Sequence, residues 1–184
     1  RIGLSDEAEL AEGESVLRRS ATPLDAPVNI SQMLPAAAIA VPLAARTRQS
    51  VITAMTELAA QTGLLWEPEK MAEAVRDRDE MHPTALENVI ALRHPRRPMT
   101  GSLGEAFLAF GRTETGIPFG SSRGVLTDLF FLICSLNDRD HLRTLARLSR
   151  LISDDNPVDD LRQAPDAATV RAVLADREAG LETA

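Results

Sequence analysis

The run VLTDLFFLICSL, residues 125–136, constrains the fold more than any other stretch of the chain. It is long, continuous and apolar through Leu129-Phe130-Phe131-Leu132-Ile133-Cys134. A strand with one wet face alternates apolar and polar residues, so a run without alternation needs cover on both faces. It falls well short of the ~18 apolar residues of a membrane span. A central strand between two layers is expected, and 184 residues with 44% hydrophobic content can supply both layers. Aromatic residues make up only 3%, with no tyrosine and one tryptophan. The core must therefore be aliphatic, and a base-stacking platform for single-stranded nucleic acid is disfavoured.

The segments around that run carry helical and strand patterns. QSVITAMTELAAQTG, 49–63, sets Ile52, Met55, Leu58 and Ala59 on one side and stops at Gly63, as an amphipathic helix with a glycine end does. PEKMAEAVRDRDEM, 68–81, opens on Pro68, carries acid early and has Met71, Ala74 and Val75 as its apolar face. His82-Pro83 ends it, because a residue before proline avoids the helical region. VIAL (89–92) and EAFLAF (105–110) read as strands, and GIPFGSSRG (116–124) as a loop. DHLRTLARLSRLISD, 140–154, returns to helical period. Its Leu142, Leu145, Leu148 or Ser149 and Ile152 are expected inside, with Arg143, Arg147 and Arg150 outside. A last helix is expected over about 167–178, after a cap at Asp166.

Helices, then strands, then helices point to an α/β sandwich with a mixed central sheet. Residues 1–29 crowd Asp6, Glu7, Glu9, Glu12 and Glu14 ahead of a proline-containing stretch and read as a linker arm. Residues 30–176 form the expected domain and 177–184 a tail.

A net charge of −7 opposes direct binding of a phosphate backbone, so no nucleic-acid contact is expected of this domain. The single cysteine, Cys134, excludes an internal disulfide or a cysteine-rich metal site, and within FFLICSL it reads as a small buried hydrophobe. The start does not read as a signal peptide, and no membrane attachment is expected; the expectation is a cytoplasmic protein. His82, His94 and His141 show no His-x-x-x-His or Glu-x-x-His spacing, so no metal is expected. Nucleophile elbows, phosphate-binding glycine loops and dinucleotide fingerprints are absent too, and no cofactor is expected.

His94 stands out by its company, in ENVIALRHPRRP, residues 87–98. An imidazole titrating near pH ~6.5 keeps a free lone pair at neutral pH and can attack a phosphoryl group without a separate base. Arg93, Arg96 and Arg97 would offset phosphoryl charge through their forked donors. On residues alone the plainer alternative comes first: a strand-end histidine beside solvated arginines. By the same standard His141 is a first-turn surface residue and His82 a turn residue.

The order of motifs adds to this. RDEMHPT supplies Arg78, Asp79 and Thr84; ten residues after Thr84 comes His94 in IALRHPR. FGRTETGIPF spans 110–119, and DLFFLICSLNDRDHLRTLARLSRLI spans 128–152. With these stretches the chain resembles the IIA domains of the bacterial phosphotransferase system, mannitol/fructose type, nitrogen-regulatory members included. The likeness runs from about residue 30 to 176.

The resemblance implies the IIA mannitol/fructose-type fold and a phosphocarrier whose acceptor is His94. It implies that His141 lies beside His94 and helps hold the phosphoryl group, that Arg78 neutralises it and that Thr84 borders the site. It implies an HPr-type phosphocarrier protein as donor, and a IIB domain or a regulatory target protein downstream. Some relatives carry a DNA-binding module ahead of the domain, and the acidic arm fits a regulatory member of that kind. Three positions depart from the family pattern: Arg93 stands where proline precedes the active histidine, Val89 stands where glycine lies five residues before it, and Asp79 stands for glutamate. These departures leave the nucleophile in place and also fit a degenerate member, a binding module acting without phosphoryl transfer.

Overall fold

The computed structural model describes residues 28–81, 85–86, 89–93, 101–119, 126–153 and 155–182. Five strands, β1 (Ile39–Ala40), β2 (Ala85–Leu86), β3 (Val89–Arg93), β4 (Phe107–Pro118) and β5 (Leu126–Cys134), form one sheet in the order β1-β4-β5-β3-β2. The apolar run of residues 125–136 supplies β5, the middle strand. β5 is parallel to β3 and antiparallel to β4, so the sheet is mixed, as expected.

Strand alternation divides the core. Phe130, Leu132 and Cys134 join α2 (Arg48–Ala60) and α3 (Pro68–Met81) on one face, with Val51, Ile52, Met55, Met71 and Val75. Leu129, Phe131 and Ile133 join the other face, covered by α1 (Ile30–Met33), α4 (Asp138–Leu151), α5 (Asp155–Gln163) and α6 (Ala167–Glu182). Burying each such side chain stabilises the fold by about 1.5–3 kcal/mol, which is why β5 tolerates no charge between Leu129 and Cys134.

Local chemistry sets the helix ends. The Thr47 hydroxyl accepts from the Ser50 amide at 3.1 Å while the Ser50 hydroxyl accepts from the Thr47 amide at 2.9 Å, a reciprocal cap on α2. After α2 the chain turns at Gly63, whose φ of 75° lies in the left-handed region that favours glycine. Asp166 caps α6 by accepting from the Thr169 amide at 2.7 Å. The Thr169 hydroxyl donates to the same carboxylate at 2.7 Å, and these two hydrogen bonds, the side-chain one first, favour the ionised form of Asp166 and lower its pKa.

Several expectations needed correction. β4 runs to Pro118, past the strand expected at 105–110 and into the stretch 116–124 expected to be a loop. A register irregularity between Arg112 and Ile117 absorbs the intervening residues, and pairing resumes at Ile117 opposite Thr127. Pro118 is the last residue of β4, at the strand end where a missing N–H is least disruptive, and lies beyond Phe110 and Gly111, the positions at which β1 pairs. In α4 the expected inward face holds at Leu145, Leu148 and Ile152, but Leu142, expected inside, is 62% exposed. Arg147, expected outside, keeps only 16% of its side-chain exposure and faces Glu178 and Glu182. α1, β1, β2 and α5 go beyond the elements expected, and α6 extends to Glu182, so residues 177–182, expected to be a tail, belong to a helix in which Glu178 is buried.

Charge threads the α4–α6 face. Glu178 is buried, and its carboxylate accepts from the amides of Ile30 at 2.8 Å and Ser31 at 2.7 Å, capping α1. Arg147 Nε lies 3.7 Å from the same carboxylate. Arg112 donates to the carbonyls of Leu161, Arg162 and Ala164, which closes the end of α5. Among the described residues no helix is long and apolar enough to cross a membrane.

Candidate functional site

Three segments reach one edge of the sheet. β3 ends at Arg93, opposite Ile133 of its parallel neighbour β5, and His94 is the next residue. β5 ends at Cys134 and the chain continues into α4. β2 runs antiparallel to β3 with Ala85 opposite Ile90, so the chain leaving α3 enters β2 from the edge at which β3 ends. Carboxyl ends of adjacent parallel strands are where open α/β sheets hold their ligands, since both turns open outward there.

His141 sits in the second half of the first turn of α4 and is 9% exposed, so the surface reading of this residue is corrected. The turn is built by Asn137, whose side chain accepts from the Asp140 amide at 2.8 Å and donates to the Asp140 carboxylate at 2.7 Å. Thr144 donates to the Asp140 carbonyl one turn on. A helix start presents N–H groups to an anion, although Asp138 and Asp140 in this first turn work against that.

Arg78 lies in the last turn of α3 and is half-buried. Its Nε is buried and has no hydrogen-bond partner among the described residues. A guanidinium in that state is costly unless something accepts from it. Ser135, which no sequence motif marks, is buried at the exit of β5, between Ile133 and His141 in the chain. Its only sequence signal is a hydroxyl at the end of an apolar run. Cys134 is enclosed, and burial pushes its thiol well above the usual range, so it stays protonated and is no nucleophile. His94 and Thr84 lie outside the described residues, as do His82, Arg96 and Arg97; of Arg93 the backbone alone is described.

Residues 32–177 match the family described as phosphoenolpyruvate-dependent sugar phosphotransferase system, EIIA 2. The chain belongs to this family. As an EIIA type 2 domain it is 33% identical, over 126 residues, to the nitrogen regulatory protein of Bradyrhizobium diazoefficiens, covering 66% of this chain and 80% of that one. Its fold matches the crystal structure of IIA mannitol from Escherichia coli at a TM-score of 0.68 and 22% identity, over 77% of this chain and 98% of that one. It also matches the complex of enzyme IIAMTL with phosphorylated enzyme IIBMTL from Escherichia coli, at a TM-score of 0.67 and 19% identity, over 77% and 96%. The expected α/β fold with a mixed sheet is therefore the IIA fold.

Proposed function

We propose that this EIIA domain is a histidine phosphocarrier with a signalling role. A phosphorylated HPr-type carrier docks at the sheet edge, and the neutral ring of His94 attacks phosphorus. The P–N bond to the donor histidine breaks as the P–N bond to His94 forms, and the donor ring recovers its lone pair. Such a transfer depends on positioning and charge stabilisation more than on acid–base chemistry. Arg78 offsets the equatorial oxygens, His141 hydrogen-bonds to them and Thr84 borders the group.

What supports this reading is that β3, the strand before His94, runs parallel to β5, which leads into the α4 start bearing buried His141, while Arg78 lies in the last turn of α3. Likeness to a nitrogen regulatory protein supports a signalling output. The mannitol complex supports a IIB domain as an alternative acceptor. The reaction belongs in the cytoplasm with its donor.

The second reading, a binding module without phosphoryl exchange, is favoured by Val89, which is held in the ladder opposite Leu129 where a glycine would free the backbone. Mass spectrometry after incubation with a phosphorylated HPr-type carrier separates the two. Phosphocarrier action predicts one acid-labile, alkali-stable phosphoryl group on the peptide containing His94. Label persisting in His94→Ala would refute the assignment, and an unlabelled wild type would favour the binding module.

A further inference from the structure

The outward face of α4 differs from the rest of this acidic chain. A helix advances about 100° per residue, which sets Arg139, Leu142, Arg143, Ala146 and Arg150 within one arc of about 100°. Arg139, Leu142, Ala146 and Arg150 are exposed, and Arg143 is half-buried. Leu142 is more exposed than any other large apolar side chain among the described residues. The two acids of the helix, Asp138 and Asp140, fall outside the arc, and only Asp140 reaches back to it, at 3.9 Å from Arg143. Arg139 and Arg150 have no ion-pair partner among the described residues.

A lone exposed leucine is ordinary. An exposed leucine in a row with uncompensated arginines is an apolar centre with a charged rim, the anatomy of a docking surface. The chain carries a net charge of −7, yet this arc holds arginines and no acid. We infer that the outward face of α4 docks an acidic partner protein, one that sets an apolar side chain among carboxylates. The forked donors of Arg139, Arg143 and Arg150 suit carboxylates, and Leu142 with Ala146 supplies the apolar centre. Nucleic acid fits poorly, because the net negative charge of the chain repels a phosphate backbone. A bilayer fits poorly too, since one leucine is far less than the apolar face that holds a helix at a membrane surface. The inference deepens the signalling reading by giving its regulatory target a surface and a chemistry. It rests on that reading for the existence of a target, and not on His94 as the phosphoryl acceptor.

The test titrates the whole unphosphorylated chain, followed by amide NMR, with a synthetic helical peptide that carries two leucines one turn apart, ringed by glutamates. Three further titrants are the same peptide with lysines for glutamates, vesicles of phosphatidylglycerol, and a DNA duplex. The glutamate peptide should shift the amides of residues 139–150, more weakly as salt is raised, and the lysine peptide should not. Leu142→Ala should weaken binding about tenfold. Arg139→Glu combined with Arg150→Glu should abolish it and confer binding of the lysine peptide, with urea stability held because both side chains are exposed. No shift with the glutamate peptide, shifts that map away from α4, or binding indifferent to Leu142→Ala would overturn the inference. Vesicles or duplex matching the glutamate peptide would also overturn it, assigning the face to lipid or nucleic acid. A chain that binds the glutamate peptide on α4 yet takes no phosphoryl group from an HPr-type carrier would uphold the inference and remove the phosphocarrier reading.

Discussion

On the α2–α3 face of the sheet, Val51, Ile52, Met55, Met71 and Val75 pack on Phe130 and Leu132, and a polar contact such as Arg76 to Thr53, at 2.6 Å, is only half-buried. On the α4–α6 face an equally apolar layer is crossed by ions: Arg147 beside buried Glu178, Arg112 on the end of α5, and Arg162 on Asp128 at 2.9 Å. The first kind of face fails gradually, because each methyl group contributes separately. The second fails abruptly when one ion loses its partner, because the other is left buried and unpaired. Each face lends the candidate site one residue, Arg78 from α3 and His141 from α4, so the site depends on both kinds of packing.

The largest expected effect tests that contrast. Glu178→Ala leaves the Ile30 and Ser31 amides without their acceptor and Arg147 without its ion partner, a loss of about 3–5 kcal/mol in urea denaturation. Adding Arg147→Met should recover part of that loss, since the orphaned cation is removed. Met55→Ala should cost about 2–5 kcal/mol by leaving a cavity, with no second polar change able to restore it. Failure of Arg147→Met to help would erase the distinction between the faces.

A smaller effect separates helix ends near and far from the site. Asn137→Ala and Thr47→Ala each remove a cap and should each cost about 1 kcal/mol. The first should also perturb the His141 ring signals, because Asn137 builds the turn that holds it. The second should not, since Thr47 borders Glu114 and Thr115, at the end of the sheet where β5 begins. Equal changes at His141 would mean that α4 is not held locally.

The smallest effect depends on pH. Hydrogen bonds from Lys70 and Ser102 hold the Glu67 carboxyl below the usual range in the folded chain, so its contribution is present above the ordinary glutamate value and is lost as pH falls through its depressed folded value. Amide exchange at Trp66 and Gly104, which donate to the Ser102 and Leu64 carbonyls, should therefore gain protection between acid and neutral pH, modestly, because the carboxylate is solvent-screened. Protection that fell over this interval would reverse the sign and leave Glu67 without a part in holding that crossing.

Legibility in the sequence followed locality. β5 was readable because burial on both faces demands unbroken apolar residues, and α2, α3 and α6 because Gly63, Pro68 and Asp166 mark their ends within a few positions. α1 is a single short turn: Asn29 caps it locally by accepting from the Gln32 amide, but the Ile30 and Ser31 amides are satisfied by Glu178 from the far end of the chain, which no local pattern shows. Arg147 departs from the otherwise legible phase of α4 because acids on α6 draw it inward, a long-range effect that spacing does not show. His141 and Arg78 enter the candidate site through the family resemblance, while their burial comes from packing that spacing does not show. Ser135 carried no motif, and only the fold places it, buried, at the exit of β5.

The central claim is that His94 and His141 serve one phosphoryl group, with acceptor and stabiliser delivered by the sheet edge and by α4. Ring NMR of His141, recorded before and after phosphorylation by an HPr-type carrier and again after acid hydrolysis, tests it most directly. The account predicts that the His141 signals shift when His94 is phosphorylated and return when the group is lost. His141 signals that stay fixed while His94 carries the phosphoryl group would contradict it.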